Sequence, residues 1–455
     1  ENETSNRIVL MSGVKTRHPE ITEIRRKQWR RMRDAMEGEE QVKFAGREYL
    51  PMPPGFKGAA DGGVEMYDAY RGRARFPAFV SVSVPAMIGI IHGREAQIEM
   101  PGPMEYLWEN ADGEGLPLEA FHRRITRELL VIGGYGILTD APQDGGDPYL
   151  AGVSRDRVIN WDTDFWVLDE TRLVRRGFDW EQVEQYRVLT LEDGVYVPIL
   201  FVGGDSEGER IEARGRGNAP LPRIPFAIGS AVDLSPKIQA PPLIGVVNAA
   251  VEFYQLSADR RHQLHMSGQE TLVAINGDAP DFVGAGVVHE MRGAEGLTPD
   301  LRYVSPSCSG IESHRAALID AREAAVMAGA RLFEQSAPAQ ESGTARKLRF
   351  ASETATLLSV AHSSSALLER ALRNAAMIMG LDEEEVVVTP PADLLDQTMS
   401  PQDFAALFGV YREGGMSWET FFANGQRGGI FSEEDGPEDE FARIDNAGEL
   451  GDNVI

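Results

Sequence analysis

The sequence predicts an α+β protein, and three observations carry that expectation. Residues 157–230 are dense in short apolar or alternating runs: Trp166-Val167-Leu168, Arg187–Leu191 and Tyr196–Phe201. Residues 241–267, 310–334 and 346–379 instead repeat apolar or small side chains at helical spacing. The first two of those helices bracket a short glycine-rich stretch, which reads as two stalks holding a small β module.

The elements follow in order. Residues 19–37 predict a basic helix, with Arg25, Arg26, Lys27, Arg30, Arg31 and Arg33 beside a ragged apolar face of Ile21, Ile24, Trp29, Met32 and Met36. It suits a nucleic-acid or acidic-partner contact, or a solvated helix making intersubunit salt bridges. Leu50-Pro51-Met52-Pro53-Pro54-Gly55-Phe56 breaks the chain. Helices are expected over 65–93 and 117–133, with the short alternating segment Gln97–Met100 between them. Gly133-Gly134-Tyr135-Gly136 invites a nucleotide-loop reading, but the third fingerprint glycine would fall at position 139, which is Thr139. It is read as a helix end running into a strand. Within the β-rich stretch, Glu192-Asp193-Gly194-Val195 separates two strands, and Asp-Gly is the strongest short hairpin signal.

Pro241 and Pro242 open a helix with Leu243, Val246, Val247, Ala250, Phe253 and Tyr254 on one face, closing at Gly268. Residues 269–308 read as compact, with Gly277, Gly284, Gly286, Gly293 and Gly296 among strands such as Thr271–Ile275. The next helix is rich in Ala316, Ala317, Ala321, Ala324, Ala325, Ala328, Gly329 and Ala330, side chains small enough for neighbouring copies to pack closely. Residues 335–345 are polar and interrupt the helical region. The helix over 346–379 that follows would be about 50 Å long. Glu385–Thr389 predicts a strand ended by Pro390 and Pro391. Ser400-Pro401-Gln402-Asp403 starts a helix with Phe404, Leu407, Phe408 and Tyr411 as its stripe, and Ser417-Trp418-Glu419-Thr420 starts another. Beyond Phe431 the chain turns acidic, and a mobile tail is expected.

The 455 residues carry a formal charge of −26. A protein that grips duplex DNA draws most of its non-specific affinity from a basic footprint, so this chain as a whole cannot hold DNA that way. It can still surround DNA without sticking to it, because like charge repels the phosphates. No apolar run approaches the roughly 20 residues a membrane span needs. The polar start, Glu1-Asn2-Glu3-Thr4, gives no secretory signal, and without an initiator Met a processed or trimmed chain is expected. The one cysteine, Cys308, forms no internal disulfide and is read as an inert loop thiol, which fits a cytoplasmic origin.

Catalytic signatures are missing. The sequence holds no G-x-x-x-x-G-K-[ST] phosphate loop, no G-x-S-x-G elbow and no H-E-x-x-H pair. His262 and His265, three apart on a helix, can share a metal or simply make a polar face; no third ligand is evident. Asp162 and Asp164 can bind a divalent ion or stay solvated as turn carboxylates. The expectation is therefore an architectural protein, not an enzyme, with no catalytic residue, no cofactor and no bound metal.

From about residue 65 to 444 the ordered set of segments resembles tailed-bacteriophage portal proteins, the head-to-tail connectors. Tyr67-Asp68-Ala69-Tyr70 through Phe76 is similar to an early wing segment. Leu129–Asp140 resembles the helix-to-strand passage into the wing sheet, and Ile159-Asn160-Trp161 the strand after it. The resemblance implies a portal fold with an α/β wing (1–240), stem helices at 241–267 and 309–334, and a small α/β clip at 268–308. It further implies a tunnel loop at 335–345, a long wing helix at 346–380, a short helical crown-side region at 381–432 and an acidic tail at 433–455. The short crown departs from the family pattern. It also implies a homo-oligomeric ring, typically of about twelve copies, at the capsid vertex of a virion and assembled in the host cytoplasm. Double-stranded DNA would pass through it during packaging and ejection, without sequence specificity. Its partners would be the large terminase, head-completion or adaptor proteins, and the major capsid and scaffolding proteins, with no membrane.

On the same resemblance, Gln335, Gln340, Glu341, Ser342 and Thr344 would face DNA. Arg346, Lys347 and Arg349 would touch phosphates or pair with acids of the next subunit. Asp278, Asp281, His289, Glu290, Arg292 and Glu295 would form the clip surface that meets terminase and connector proteins. The alternatives are another oligomeric virion component, such as an adaptor or a scaffold-binding protein, and a metal-dependent hydrolase.

Overall fold

The computed structural model describes residues 8–10, 13–94, 96–142, 146–203, 207–268, 270–284, 286, 288–293, 296–304, 310–329, 343–390, 401–427, 430–431, 436 and 438. It is a mixed α+β chain in two compact units, 1–390 and 391–455. Cys308 and most of the acidic tail lie outside the described residues.

Strand β1 (Ile8–Leu10) leads into helix α1 (Glu23–Glu37), where the Thr22 hydroxyl accepts the Arg25 amide at 3.2 Å and satisfies one orphan donor of the first turn. Trp29 and Met32 are buried, and the Trp29 indole donates to the Ile132 carbonyl at 3.0 Å. The basic face of α1 works inside the chain. Arg33 pairs with Asp156 at 3.0 Å and with Glu128 at 3.4 Å, Arg30 with Glu48 at 3.2 Å, and Arg26 with Glu23 at 3.0 Å. Arg26, Lys27 and Arg30 stay exposed, and so does Ile24, which the sequence assigned to the apolar face.

Helices α2 (Glu39–Ala45), α3 (Val64–Arg73) and α4 (Phe79–Ile91) follow, so the single helical stretch expected over 65–93 is broken between Arg73 and Phe79. After β2 (Gln97–Glu99) and α5 (Leu118–Val131), the chain turns at Gly133, whose φ of +83° only glycine adopts freely. It then enters β3 (Gly134–Asp140). The turn thus runs helix into strand, and no phosphate-binding helix follows it.

The strands β4 (Tyr149–Ser154), β5 (Val158–Trp161), β6 (Phe165–Asp169), β7 (Arg172–Arg176), β8 (Asp179–Val183), β9 (Gln185–Glu192), β10 (Val195–Val202), β11 (Glu207–Arg210), β12 (Arg214–Gly215), β13 (Ala219–Pro220) and β14 (Phe226–Ser230) complete the β-rich region. Six strands form one antiparallel sheet in the order β1-β11-β10-β9-β6-β5. Between β9 and β10, Asp193 (φ +51°) and Gly194 (φ +79°) form the two-residue turn expected from Asp-Gly. Ile159, Val167, Val188, Ile199 and Phe201 fill the core of this sheet.

A second sheet runs β14-β3-β4. Helix α6 (Ile244–Ser267), strands β15 (Thr271–Ile275) and β16 (Asp300–Val304), and helix α7 (Ile311–Met327) come next. Helix α8 (Gly343–Met379) begins three residues ahead of the expected start and is about 55 Å long. It crosses α5 and the β14-β3-β4 sheet, burying Leu357, Val360, Leu367, Leu368, Leu372 and Ala375. Strand β17 (Val387–Thr389) pairs antiparallel with β2, which places these crown-side residues within the larger unit.

In the smaller unit, α9 (Pro401–Arg412) and α10 (Trp418–Arg427) pack through Phe404, Phe408, Tyr411, Trp418 and Phe421, with Phe421 and Phe422 buried. The Ser417 hydroxyl caps α10 by accepting the Thr420 amide.

Candidate functional site

The feature that sets one region apart from the folded body is the hairpin of α6 and α7. The first half of α6 is rooted in the core through Val246, Val247, Ala250, Tyr254 and Ala258; beyond Ala258 none of its side chains is fully buried. Two contacts fix how α7 lies against it. A Cβ on Gly245 would stand 3.0 Å from that of Ala328, and His314 meets Gln263 at 3.2 Å. The start of α6 therefore meets the end of α7, and the end of α6 meets the start of α7. The pair is antiparallel and in contact along its length. Ala321 and Ala325 are buried in this packing, so part of the small-residue stripe serves the hairpin itself, while Ala316 and Ala324 stay exposed beside Ile319 and Met327.

Between these helices β15 pairs with β16, from Thr271 opposite Val304 to Ile275 opposite Asp300. Asn276 (φ +54°) turns the chain out of β15, and Gly277 bridges Gly293. Among the described residues of 270–304 no side chain is fully buried, while Phe282, Val283, Val288, Leu297 and Tyr303 are exposed. The compact head expected from the glycine content is thus, among the described residues, a ribbon and loops without a buried core. Burial of apolar surface drives folding and association alike, so such a module is completed by contact with something else.

The sequence-predicted residues fall as follows. Asp278, Asp281, Glu290 and Arg292 are exposed and His289 is half-buried on this module; Glu295 lies outside the described residues. Gln335, Gln340, Glu341 and Ser342 also lie outside them. Thr344, Arg346, Lys347 and Arg349 stand in the first turns of α8, so Thr344 is helical and not part of a loop. His262 packs edge-on against Phe56 and Tyr70; burial, then the positive Arg73 and neighbouring His265, hold it below the usual histidine range. Among the described residues no three His, Cys, Asp or Glu side chains converge as metal ligands. None of the described helices is long and apolar enough to cross a membrane.

Two polar clusters went unread in the sequence. Arg187 bridges Asp140 at 2.6 Å and Glu170 at 2.8 Å; despite burial, these carboxylates hold its guanidinium above the usual range. Beside it opens a cleft of about 1040 Å³ lined by Asp140, Tyr196, Glu209, Arg210 and Arg214, charges of both signs that select no one class of ligand. The other cluster is a buried histidine pair, His92 and His122, whose rings meet edge to face at 4.7 Å. Neither cluster has a sequence signature, because its members come from elements far apart in the chain.

A domain of unknown function (DUF4055) matches residues 242–379, from the start of α6 to the end of α8. The chain is similar to a chain in the neck of a native GTA particle computed with C12 symmetry. That likeness has 14% identity and a TM-score of 0.38, over 75% of this chain and 88% of that one. It is similar to a chain of the virion of a native gene transfer agent particle at 15% identity and a TM-score of 0.39, over 82% and 94%. A chain in the neck of an empty GTA particle computed with C6 symmetry gives 14%, 0.40, 82% and 94%. No curated protein matches.

Proposed function

We propose that this chain is a portal protein, a structural component of a phage-like virion that forms a ring at the capsid vertex and conducts double-stranded DNA during packaging and ejection. The observation that carries the reading is the antiparallel α6–α7 hairpin bearing a β module in which no side chain among the described residues is fully buried. Copies set side by side around an axis would cover the exposed apolar side chains of the module. They would also cover the outer face of α7, where Ala316, Ile319, Ala324 and Met327 remain uncovered. The resemblance of the segments from 65 to 444 to portal proteins supports the same arrangement; the likeness to the particle necks is not needed for it.

In this reading the module, with Asp278, Asp281, His289, Glu290, Arg292 and Glu295, is the docking surface for the large terminase and then for head-completion or adaptor proteins. The segment from Gln335 to Lys347 faces the DNA. The wing meets capsid and scaffolding proteins. The chain has a structural role without catalysis, and packaging energy comes from the terminase. Negative-stain electron microscopy of the purified full chain tests this: closed rings of about twelve copies with an axial hole wide enough for duplex DNA are expected. A homogeneous monomer with no annular particles at any concentration overturns it.

A further inference from the structure

A second uncovered surface lies far from the stalk in sequence. Among the described residues strands β7 and β8 pair only with each other, as a two-stranded ribbon turning at Gly177 and Phe178 between β6 and β9. Its register sorts the side chains. Leu173 lies opposite Gln182 and Arg175 opposite Trp180, which puts these four on one face; Arg172, Val174, Arg176, Asp179, Glu181 and Val183 take the other. The second face neutralises itself, Arg176 pairing with Glu181 at 2.6 Å. The first face holds no carboxylate. Its one charge is Arg175, whose guanidinium lies 5.6 Å from the centre of the Phe178 ring and draws that tip residue to the same side.

This face is open to an unusual degree. Phe178 is 94% exposed, Trp180 65% and Leu173 63%. An isolated two-stranded ribbon is marginal in water unless an apolar face is packed, and a clustered apolar patch marks an interaction surface. Trp and Arg flanked by apolar side chains is also the composition of residues that dominate binding energy at protein interfaces.

We propose that the face formed by Leu173, Arg175, Phe178 and Trp180 docks onto a second copy of this chain. The occupant is argued from charge complementarity: a second copy carries a net excess of acids, −26 over the chain, with Glu384 and Glu385 among those exposed, and the ribbon face offers one cation and no competing acid. This goes beyond the ring reading, since the contact holds whether or not the copies close into an annulus.

The test uses the full chain with Phe178→Ser/Trp180→Ser, Arg175→Glu and Arg175→Lys. All positions are exposed, so the variants are expected to fold, which circular dichroism checks. Mass photometry should give at least tenfold weaker self-association for the double variant and for R175E, with R175K close to wild type. Hydrogen exchange over 171–184 should slow when wild-type protein assembles. Unchanged association in both disruptive variants, with no protection of 171–184, overturns the proposal while leaving a ring possible. A wild-type assembly that is not annular, yet dispersed by R175E, supports this contact and removes the ring reading.

Discussion

The histidine pair shows how single hydrogen positions decide a pH response. The Thr126 hydroxyl donates to the His122 carbonyl at 3.3 Å, so its oxygen is left to accept from His92 Nε2 at 2.8 Å. The Ser364 hydroxyl donates to the Ala361 carbonyl at 3.0 Å and accepts from His122 Nε2 at 3.2 Å. Both imidazoles are thereby fixed as neutral Nε2–H tautomers that tie α5 to the end of α4 and to α8. Burial, helped by Arg123, pushes His92 down to about 4; burial, helped by His92 itself, pushes His122 down to about 3. Both folded values lie below the unfolded value of about 6.5. The neutral pair's contribution is therefore fully present above that pH and is lost as pH falls beneath it. Each histidine removes about 1.4 kcal/mol per pH unit until its folded value is reached. Urea midpoints measured from pH 7 to pH 4 should fall less steeply for H92Q/H122Q than for wild type, since glutamine keeps a donor and does not titrate. Equal slopes would mean the pair does not govern acid stability.

At the scale of elements, the β14-β3-β4 sheet depends on glycines that make room for rings. A Cβ on Gly136 would lie 2.5 Å from Cζ of Phe226, and one on Gly152 would collide with the Tyr135 hydroxyl. Gly136→Ala forces the Phe226 ring against Trp166, with which it already packs at 5.2 Å. A loss of about 1–3 kcal/mol is expected, the usual cost of overpacking, read as a lower urea midpoint at unchanged slope; an unaltered midpoint would show that the ring moves freely. The same sheet marks where the sequence could be read and where it could not. The passage from Val131 through Gly133 to Gly134 was legible because a left-handed glycine between a helix and an apolar run is a local signal. So were the Asp193-Gly194 turn and the rooted half of α6. The pairing of Gln97–Glu99 with Val387–Thr389 was not, since three-residue strands carry too little pattern to declare a partner so distant. The β7–β8 ribbon was not legible because charged and polar residues outnumber apolar ones in both strands and hide the alternation. Ala321 and Ala325 had the right composition for close packing, but composition does not say whether the neighbour is the same chain or another.

For the whole molecule, charge is the quantity that separates a conduit from a clamp. Among the described residues the cationic side chains are often committed: Arg33, Arg187, Arg210, Arg223 and Arg373 each hold one or two carboxylates of the same chain. A protein that binds duplex DNA by counterion release makes about 6–10 phosphate contacts and loses some 10³–10⁵ in affinity between 50 and 200 mM salt. A chain with a net charge of −26 is poorly suited to supply such a set, and around an enclosed duplex its net field would be repulsive. In the proposed ring, repulsion from all sides would centre the DNA and leave only transient contacts, which is what sliding demands. Purified protein should therefore leave a linear duplex of random sequence unshifted in gels at micromolar concentrations and near-physiological salt. Lowering the salt should lengthen the range of the repulsion, not reveal binding. Tight binding with a steep inverse dependence on salt would contradict a low-adhesion channel, because it would require a continuous basic track on a chain whose net charge is −26.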